Sequence, residues 1–235
     1  MARRREPRRL HNLVEAASRV FLSKGYRRTQ VADVARAMGI ASGTVYLYAE
    51  SKEALFDLAV RSSLTPNLLD GDWDLPVKTP PVGSTFDFIK RSLETVARFP
   101  ALESALRSAL ADPCQELETI VRELFRKTSA RWLALKLLER CASDWPELAA
   151  LWFGQHRLRL LRQLSRYLEN RMSAGRLRKA PNPAAAARLI LEMVAAFAMH
   201  SRTDPHLGAM DQTVAEDLVV DAVVHAYQPV ETTRP

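Results

Sequence analysis

The stretch from Thr29 to Glu53 reads TQVADVARAMGIASGTVYLYAESKE and constrains the chain more than any other segment. It contains two short helical patterns that are separated by Gly39. The second pattern opens on three small residues, Ser42-Gly43-Thr44, and continues with two tyrosines and a lysine. Small residues let a helix approach base edges, and phenolic hydroxyls donate hydrogen bonds to phosphate oxygens. The stretch therefore predicts a helix-turn-helix whose second helix enters the major groove of DNA.

Positive charge is concentrated around this stretch. Residues 1–61 contain 12 Lys/Arg against 6 Asp/Glu, whereas residues 62–235 contain 22 against 21. Most of the formal net charge of +7 therefore lies beside the predicted motif, where it attracts a polyanion without reading its sequence. The opening residues MARRREPRRL form either an arm that reaches flanking phosphates or a minor groove, or a solvated tail. Both interpretations stay open.

The composition indicates an all-α cytoplasmic protein with no membrane partner. Hydrophobic residues make up 47% and charged residues 26%, and glycines number eight. Cys114 and Cys141 lack a CxxC spacing and are expected to stay reduced. No unbroken apolar run follows the basic N-terminus, as a secretory signal requires. The most apolar segment, Leu189 to Met199, is interrupted by a glutamate and is expected to be too short to span a bilayer.

Helix signals divide the N-terminal part of the chain into four helices. A buried stripe predicts the first helix from about residue 8 to residue 23, with Gly25 as its left-handed C-cap. Thr29 is predicted to cap the second helix, and Ser51 the fourth. The third helix, from about residue 42 to residue 48, is the predicted recognition helix.

An irregular segment precedes a second helical region. Residues 65–84 hold four prolines and two glycines, which a regular helix does not tolerate. Beyond them, Asp112, Asn182 and Asp211 each precede a helical pattern as an N-cap. The predicted domains are a helix-turn-helix DNA-binding domain, an irregular connection, a helical effector-binding and dimerisation domain, and a tail, over residues 1–62, 63–84, 85–228 and 229–235.

Residues that match a known family pattern are dense from the first predicted helix to the fourth. They comprise Ala16-Ala17, Phe21, Gly25-Tyr26, Thr29, Val31, Val34-Ala35, Gly39-Ile40, Gly43-Thr44-Val45-Tyr46, Tyr48 and Ser51-Lys52-Glu53. This set resembles the TetR family of bacterial transcription regulators and covers roughly the first quarter of the chain. The resemblance implies a homodimer that binds a palindromic operator and is released by a small ligand. It also implies a three-helix N-terminal domain followed by a larger helical domain for ligand binding and dimerisation.

Two residues depart from the family pattern. Ala41 stands where a helix-capping serine is common, and Ala49 stands where a phenylalanine is common. The smaller side chain at Ala49 is expected to loosen the recognition helix by about 1 kcal/mol.

The DNA contacts are predicted to come from the second and third helices and from the residues that follow them. The competing interpretation is a small amphipathic helix whose tyrosines pack on the core. The predicted DNA-binding residues are Thr29, Gln30, Ser42, Gly43, Thr44, Tyr46, Tyr48 and Lys52.

The two C-terminal helical patterns predict a dimer interface. Residues 184–199 are apolar on nearly every side, and the last pattern carries a stripe of aliphatic residues. A helix that is buried on all sides needs more cover than a small domain supplies, so we expect these two helices to pair with their copies in a four-helix interface. The alternative places both helices in the core of a single chain. The predicted interface residues are Leu189, Met193, Ala196, Val214, Leu218 and Ala222.

Aromatic residues are frequent after residue 84, and they predict a pocket for a small, hydrophobic effector. The same residues also serve as ordinary core, so this prediction is the weaker one. The predicted ligand-binding residues are Phe125, Trp132, Trp152, His156, Met193 and Phe197.

The residues give no support to catalysis. The chain has no phosphate-binding glycine loop, and His200, Asp204 and His206 lack the spacing of metal ligands. We therefore expect no catalytic site, no metal and no cofactor. The sequence predicts a transcriptional regulator that binds double-stranded DNA and a small-molecule effector. It favours a repressor over an activator. The alternative is a helical small-molecule-binding or interaction protein without sequence-specific operator binding.

Overall fold

The computed structural model describes residues 7–108, 112–203, 206, 208 and 210–229. Within them the chain is helical, with no β-strand and one isolated parallel bridge between Ala49 and Val77, which confirms the all-α prediction. The α-helices are α1 Pro7–Arg28, α2 Val31–Met38, α3 Ser42–Val45, α4 Lys52–Leu64, α5 Ser84–Val96, α6 Pro100–Arg107, α7 Pro113–Ala130, α8 Trp132–Ala142, α9 Pro146–Ala149, α10 Leu158–Ser173, α11 Pro183–Ala195 and α12 Gln212–Tyr227.

Shorter helical segments join some of these helices. A π-helical segment, Ala150–Arg157, leads from α9 into α10, and a second one, Ala196–His200, continues α11. Short 3₁₀ turns occupy Leu68–Asp70 and Ser201–Thr203.

The chain forms two compact units. One contains residues 1–94 and 133–152, and the other contains residues 95–132 and 153–235. These limits differ from the predicted domain boundaries because α5 and residues 137–151 contribute buried side chains to the same core as α1 to α4. The assignment of DNA binding and effector binding to the predicted ranges stays a prediction.

The first unit is built around α1. Its predicted stripe is buried and meets α4, where the Phe21 and Phe56 rings pack edge to face with centroids 5.1 Å apart. Gly25 interrupts α1 with a φ of 80°, as predicted for the end of the first helix, although helical residues continue to Arg28. A side chain at Gly25 would collide with the Asp144 carboxylate, so this turn requires glycine for two reasons.

Most of the predicted helix caps are present. Ser51 accepts the Ala54 N–H at 3.1 Å, and the side chains of Asp112, Asn182 and Asp211 each accept two backbone N–H groups. The prediction that Thr29 caps α2 is wrong. Gln30 occupies the cap position, and the Thr29 hydroxyl instead donates to the Gly25 carbonyl at 2.7 Å.

The core of the second unit lies among α6, α7, α10, α11 and α12. It contains a buried ion pair, in which Arg171 of α10 donates to both carboxylate oxygens of Glu116 on α7 at 2.6 and 3.2 Å. The same guanidinium donates to the Ala105 carbonyl of α6 at 2.6 Å. One side chain therefore holds three helices together.

One helical run is longer than the sequence pattern predicted. Pro183–Thr203 spans 21 residues with a mean hydropathy of 1.3 in its most apolar window, so by length and composition it is able to cross a membrane. This criterion is weak evidence because core helices of soluble proteins also meet it.

The two cysteines have different surroundings. Cys141 is buried, and burial raises the pKa of its thiol to about 12, whereas Cys114 is half-buried in the first turn of α7. At neutral pH a pKa near 12 leaves a thiolate fraction about a thousandfold below that of an ordinary thiol. We expect iodoacetamide to modify Cys114 in the native protein and Cys141 only in urea, as read by mass spectrometry. Equal rates for the two thiols in the native state would contradict this.

Candidate DNA-binding surface

The helix-turn-helix is positioned by a glycine turn and a buried valine. Gly39 adopts a φ of 67°, and its N–H donates to the Arg36 carbonyl at 3.1 Å. The next N–H, that of Ile40, donates to the Ala35 carbonyl at 3.0 Å, so the turn closes α2 and redirects the chain. Val45, with no exposed surface, anchors α3 to the core. The recognition helix α3 is therefore short, and Val45 is the buried side chain that packs it against the core.

The outer face of this motif carries exposed residues that suit DNA. Tyr46 is 49% exposed and Leu47 is 48% exposed, and Gln30 and Gly43 are also exposed. A Cβ added to Gly43 would meet no atom within 4 Å, so packing within the chain does not require a glycine there. An absent side chain at this position leaves the backbone open to close approach by a partner. Ser42 and Thr44 are half-buried beside it.

Three of the predicted DNA-binding residues are buried or make contacts with other residues of the protein. Thr29 and Tyr48 are buried, and Lys52 lies with its Nζ 4.6 Å from the centre of the Tyr26 ring. The Lys52 amine also donates to the Tyr26 carbonyl at 3.3 Å. Thr29 and Tyr48 therefore support the surface from within, and their burial is not visible in a short motif. A DNA contact by any of the three residues stays a prediction.

The sequence did not predict that Leu47 is exposed beside Tyr46, nor that the proline-rich segment (residues 65–83) contacts the helix-turn-helix. Leu47 is an exposed aliphatic side chain next to Tyr46, and an apolar contact to a thymine methyl suits that chemistry. No periodic pattern marks such a residue, because it lies on a turn that follows α3.

The proline-rich segment is attached to the loop that joins α3 to α4. The Val77 N–H donates to the Tyr48 carbonyl at 2.8 Å, and the Glu50 N–H donates to the Val77 carbonyl at 3.0 Å. Lys78 forms an ion pair with Glu50 at 2.6 Å, which lowers the pKa of that carboxyl, and the Thr79 N–H donates to the same carboxylate. The predicted connection is therefore a support for the helix-turn-helix.

The proline-rich segment also contacts Ala49, the residue that stands where the family commonly has a phenylalanine. Ala49 is almost fully buried, and it forms the parallel bridge with Val77, whose side chain packs against the core of the first unit. The bridge supplies backbone hydrogen bonds on both sides of the alanine. That the small side chain of Ala49 loosens the recognition helix stays a prediction. The hydrogen bonds of the bridge stabilise the residues on both sides of Ala49 and so oppose such a loosening.

Removing the bridge between Ala49 and Val77 is expected to lower the free energy of unfolding. Val77→Pro eliminates the N–H that donates to Tyr48, and a lost buried hydrogen bond of this kind costs about 1–3 kcal/mol. Val77→Ala is the matched control, because it trims the side chain but keeps the N–H. Urea unfolding followed by circular dichroism measures both variants. Equal stability of the two variants would show that the backbone bond contributes nothing.

Basic side chains flank the motif. Arg27 and Arg28 are exposed ahead of α2, and Arg8 and Arg9 are exposed in the first turn of α1. Arg3, Arg4 and Arg5 of the predicted arm lie outside the described residues. Lys24 and Arg36 both pair with Asp33, at 2.6 and 3.0 Å, and the Lys24 bond is the main cause of the lowered pKa of Asp33.

The apolar face consists of the predicted interface residues that are exposed on α11, on the segment that follows it and on α12. The side chains of Leu189, Val214 and Leu218 are 57%, 52% and 53% exposed. Ala196, at the start of the π-helical segment after α11, and Ala222 are also exposed, whereas Met193 is half-buried.

The predicted ligand-binding residues divide between the two units. Phe125, Met193 and Phe197 belong to the core of the second unit or pack against it, whereas Trp152 packs against the core of the first. His156 is buried, and the Trp132 ring lies 5.7 Å from the Arg202 guanidinium. The structure therefore brings three of the six into one core. Among the described residues, no group of three or more His, Cys, Asp or Glu side chains is arranged to hold a metal ion.

Comparisons with known proteins identify the family. A family model for "Bacterial regulatory proteins, tetR family" matches residues 13–59, and one for "AefR-like transcriptional repressor, C-terminal domain" matches residues 115–229. The chain is 42% identical over 41 residues to the fatty acid metabolism regulator protein of Bacillus subtilis (strain 168). That match covers 17% of this chain and 21% of that protein.

Solved structures share the fold over nearly the whole chain. The ketosteroid transcriptional regulator KstR2 of Mycobacterium tuberculosis has a TM-score of 0.55 at 18% identity, covering 94% of this chain and 96% of that one. The TetR family regulator PfmR of Thermus thermophilus has a TM-score of 0.50 at 22% identity, covering 91% and 97%. Family and fold are those of transcription regulators rather than enzymes. The chain belongs to the TetR family of bacterial transcription regulators.

Proposed function

We propose that this regulator is a cytoplasmic, homodimeric repressor that binds a palindromic operator and is released by a small hydrophobic effector. The observation that carries the proposal is the exposed face of the helix-turn-helix, with Tyr46, Gly43 and Gln30 on its outside. This face combines a hydrogen-bonding aromatic side chain with a backbone that is open to close approach. Both features are what phosphate and groove contacts require.

The apolar face on α11 and α12 supports the homodimer. Val214, Leu218 and Ala222 recur every four residues, so they lie on one side of α12. An exposed stripe of aliphatic side chains on a helix is typical of a surface that is covered by a partner. A two-fold dimer buries the same patch on both copies, and it duplicates the recognition helix for a second half-site.

The core of the second unit supports effector binding. Phe125, Met193 and Phe197 offer apolar and adaptable surface there, and the π-helical segment Ala196–His200 contains one of them. π-helical turns recur at functional sites because they displace side chains from the regular helical positions. An effector that binds one arrangement of these helices more tightly than another shifts the dimer between states of different operator affinity.

A mobility-shift assay with DNA flanking the protein's own gene tests the proposal. We expect a sequence-specific shift at moderate salt, and we expect Tyr46→Phe to weaken it about tenfold or more, since a hydrogen bond to a charged group contributes about 1.5–3 kcal/mol. Tyr227→Phe, which removes a phenolic hydroxyl from the second unit, is the matched control and should bind as the wild type does. The absence of any sequence-specific shift would overturn the repressor assignment.

A further inference from the structure

The first unit contains a cleft that none of the predicted ligand-binding residues lines. Its volume is about 560 Å³, within the range of small-molecule sites. Four aromatic side chains line it, namely Tyr26, Phe56, Phe86 and Trp145. We propose that this cleft, the aromatic cleft, is a binding site for a small organic cation that bears apolar substituents.

The aromatic rings form one continuous cluster. The Tyr26 ring lies 4.8 Å from the Phe56 ring and 6.1 Å from the Trp145 ring, measured between centroids. Phe86 adds a fourth ring 5.8 Å from Trp145. Ring faces attract a cation through their quadrupoles, and several rings around one site add their contributions. The chain itself makes one such contact, because the Lys52 amine lies over Tyr26.

The polar lining favours a positive ligand. Three acidic residues, Glu53, Asp144 and Glu147, line the cleft, against Arg27 in the lining and the Lys52 amine over the Tyr26 ring. The Tyr26 hydroxyl donates to Glu53 at 3.3 Å, and burial together with this carboxylate raises the pKa of Tyr26 to about 12. Asp144 accepts the Arg27 backbone N–H at 3.2 Å. Because the acidic residues outnumber the basic ones here, a cationic ligand meets a more favourable field than an anionic ligand of the same shape.

The rim of the cleft favours apolar substituents on that cation. Pro80, Pro81 and Val82 form part of the lining, and the Val82 side chain is fully exposed. A bare ammonium ion would gain nothing from these groups, whereas an alkylated or benzylated ammonium covers them.

The aromatic cleft lies next to the attachment of the proline-rich segment. Thr79 lines the cleft, and its hydroxyl donates to the Ser51 hydroxyl at 2.8 Å while its N–H donates to Glu50. A cation that reaches Thr79 therefore contacts a residue that is bonded to the loop between α3 and α4. A ligand in the cleft can therefore affect the position of the helix-turn-helix directly, with no change in the second unit.

Binding is tested on the full chain by NMR, with benzyltrimethylammonium and choline as the cations and 3,3-dimethylbutan-1-ol as the neutral isostere of choline. The indole N–H signals of Trp73, Trp132, Trp145 and Trp152 are assigned by Trp→Phe substitution. We expect both cations to shift the Trp145 signal saturably, and we expect the neutral isostere to bind about fivefold or more weakly than choline, as a cation–π contact predicts. No operator DNA is present, so the result does not depend on the proposed repressor function.

Glu147→Gln is expected to raise the dissociation constant of benzyltrimethylammonium about two- to fivefold, because it removes one carboxylate from a half-open site. Glu94→Gln, at an exposed position of α5 outside the cleft, is the matched control and should leave the constant unchanged. The site is overturned if the Trp145 signal does not move, if the neutral isostere binds as tightly as choline, or if the two glutamine variants bind equally.

Discussion

Leu218→Arg is expected to convert the proposed dimer into a monomer and to abolish the proposed operator binding. Leu218 is 53% exposed at the middle of the apolar face on α12, between Val214 and Ala222. In a dimer that pairs α11 and α12 with their copies, the two-fold axis buries this residue on both chains. Two unpaired guanidinium groups in such an interface cost several kcal/mol, which is enough to dissociate a dimer of ordinary affinity.

The expected monomer remains folded. Within one chain Leu218 already faces solvent, so its replacement changes the free energy of unfolding by no more than about 0.5 kcal/mol. Size-exclusion chromatography with light scattering should report the chain mass of 26.4 kDa for the variant and twice that for the wild type. Val82→Arg, which replaces a fully exposed aliphatic residue of the first unit, is the control and should stay dimeric. A dimeric Leu218→Arg variant would place the interface elsewhere.

Arg171→Met is expected to destabilise the chain by about 3–5 kcal/mol, because it leaves the Glu116 carboxylate buried without its cation. The pair is among the most buried charges described, and the Arg171 guanidinium also lies 5.1 Å from the Tyr167 ring. The methionine keeps much of the side-chain length, so most of the loss comes from charge and hydrogen bonds rather than from a cavity.

A double-mutant cycle separates the pair from its surroundings. Arg171→Met, Glu116→Gln and the double variant are unfolded in urea, and the non-additive part of the three changes measures the coupling. We expect the double variant to be more stable than the sum of the single changes predicts, by about 1 kcal/mol or more, since neither charge is then left alone. Additive effects would mean that Arg171 acts mainly through the Ala105 carbonyl that it also contacts.

Local signals explain what the sequence predicted correctly. Asp112, Asn182 and Asp211 cap their helices because a side-chain oxygen needs little beyond two nearby N–H groups. Gly39 turns the chain because the left-handed conformation favours glycine wherever it occurs. The DNA-binding motif was recognisable for the same reason, since its turn, its caps and its small residues all lie within a short stretch.

Contacts between distant segments explain what the sequence did not predict. The bridge between Ala49 and Val77 joins the proline-rich segment to the loop after α3, and no local sequence pattern at either residue predicts it. Thr29 matched the family pattern, yet its hydroxyl donates to the Gly25 carbonyl rather than capping α2. Trp152 was grouped with Phe125 by composition, but the two belong to the cores of different units.

Hydroxyl-radical footprinting on the DNA that flanks the protein's own gene tests whether the protein binds an operator as a dimer. A dimer whose two copies of α3 read the major groove should protect two inverted half-sites, with centres separated by about one helical turn (roughly 34–36 Å) or a multiple of it. Tyr46→Phe should lose both protected segments together at concentrations that saturate the wild type. Uniform, salt-sensitive protection with no half-site repeat would contradict sequence-specific binding by the dimer.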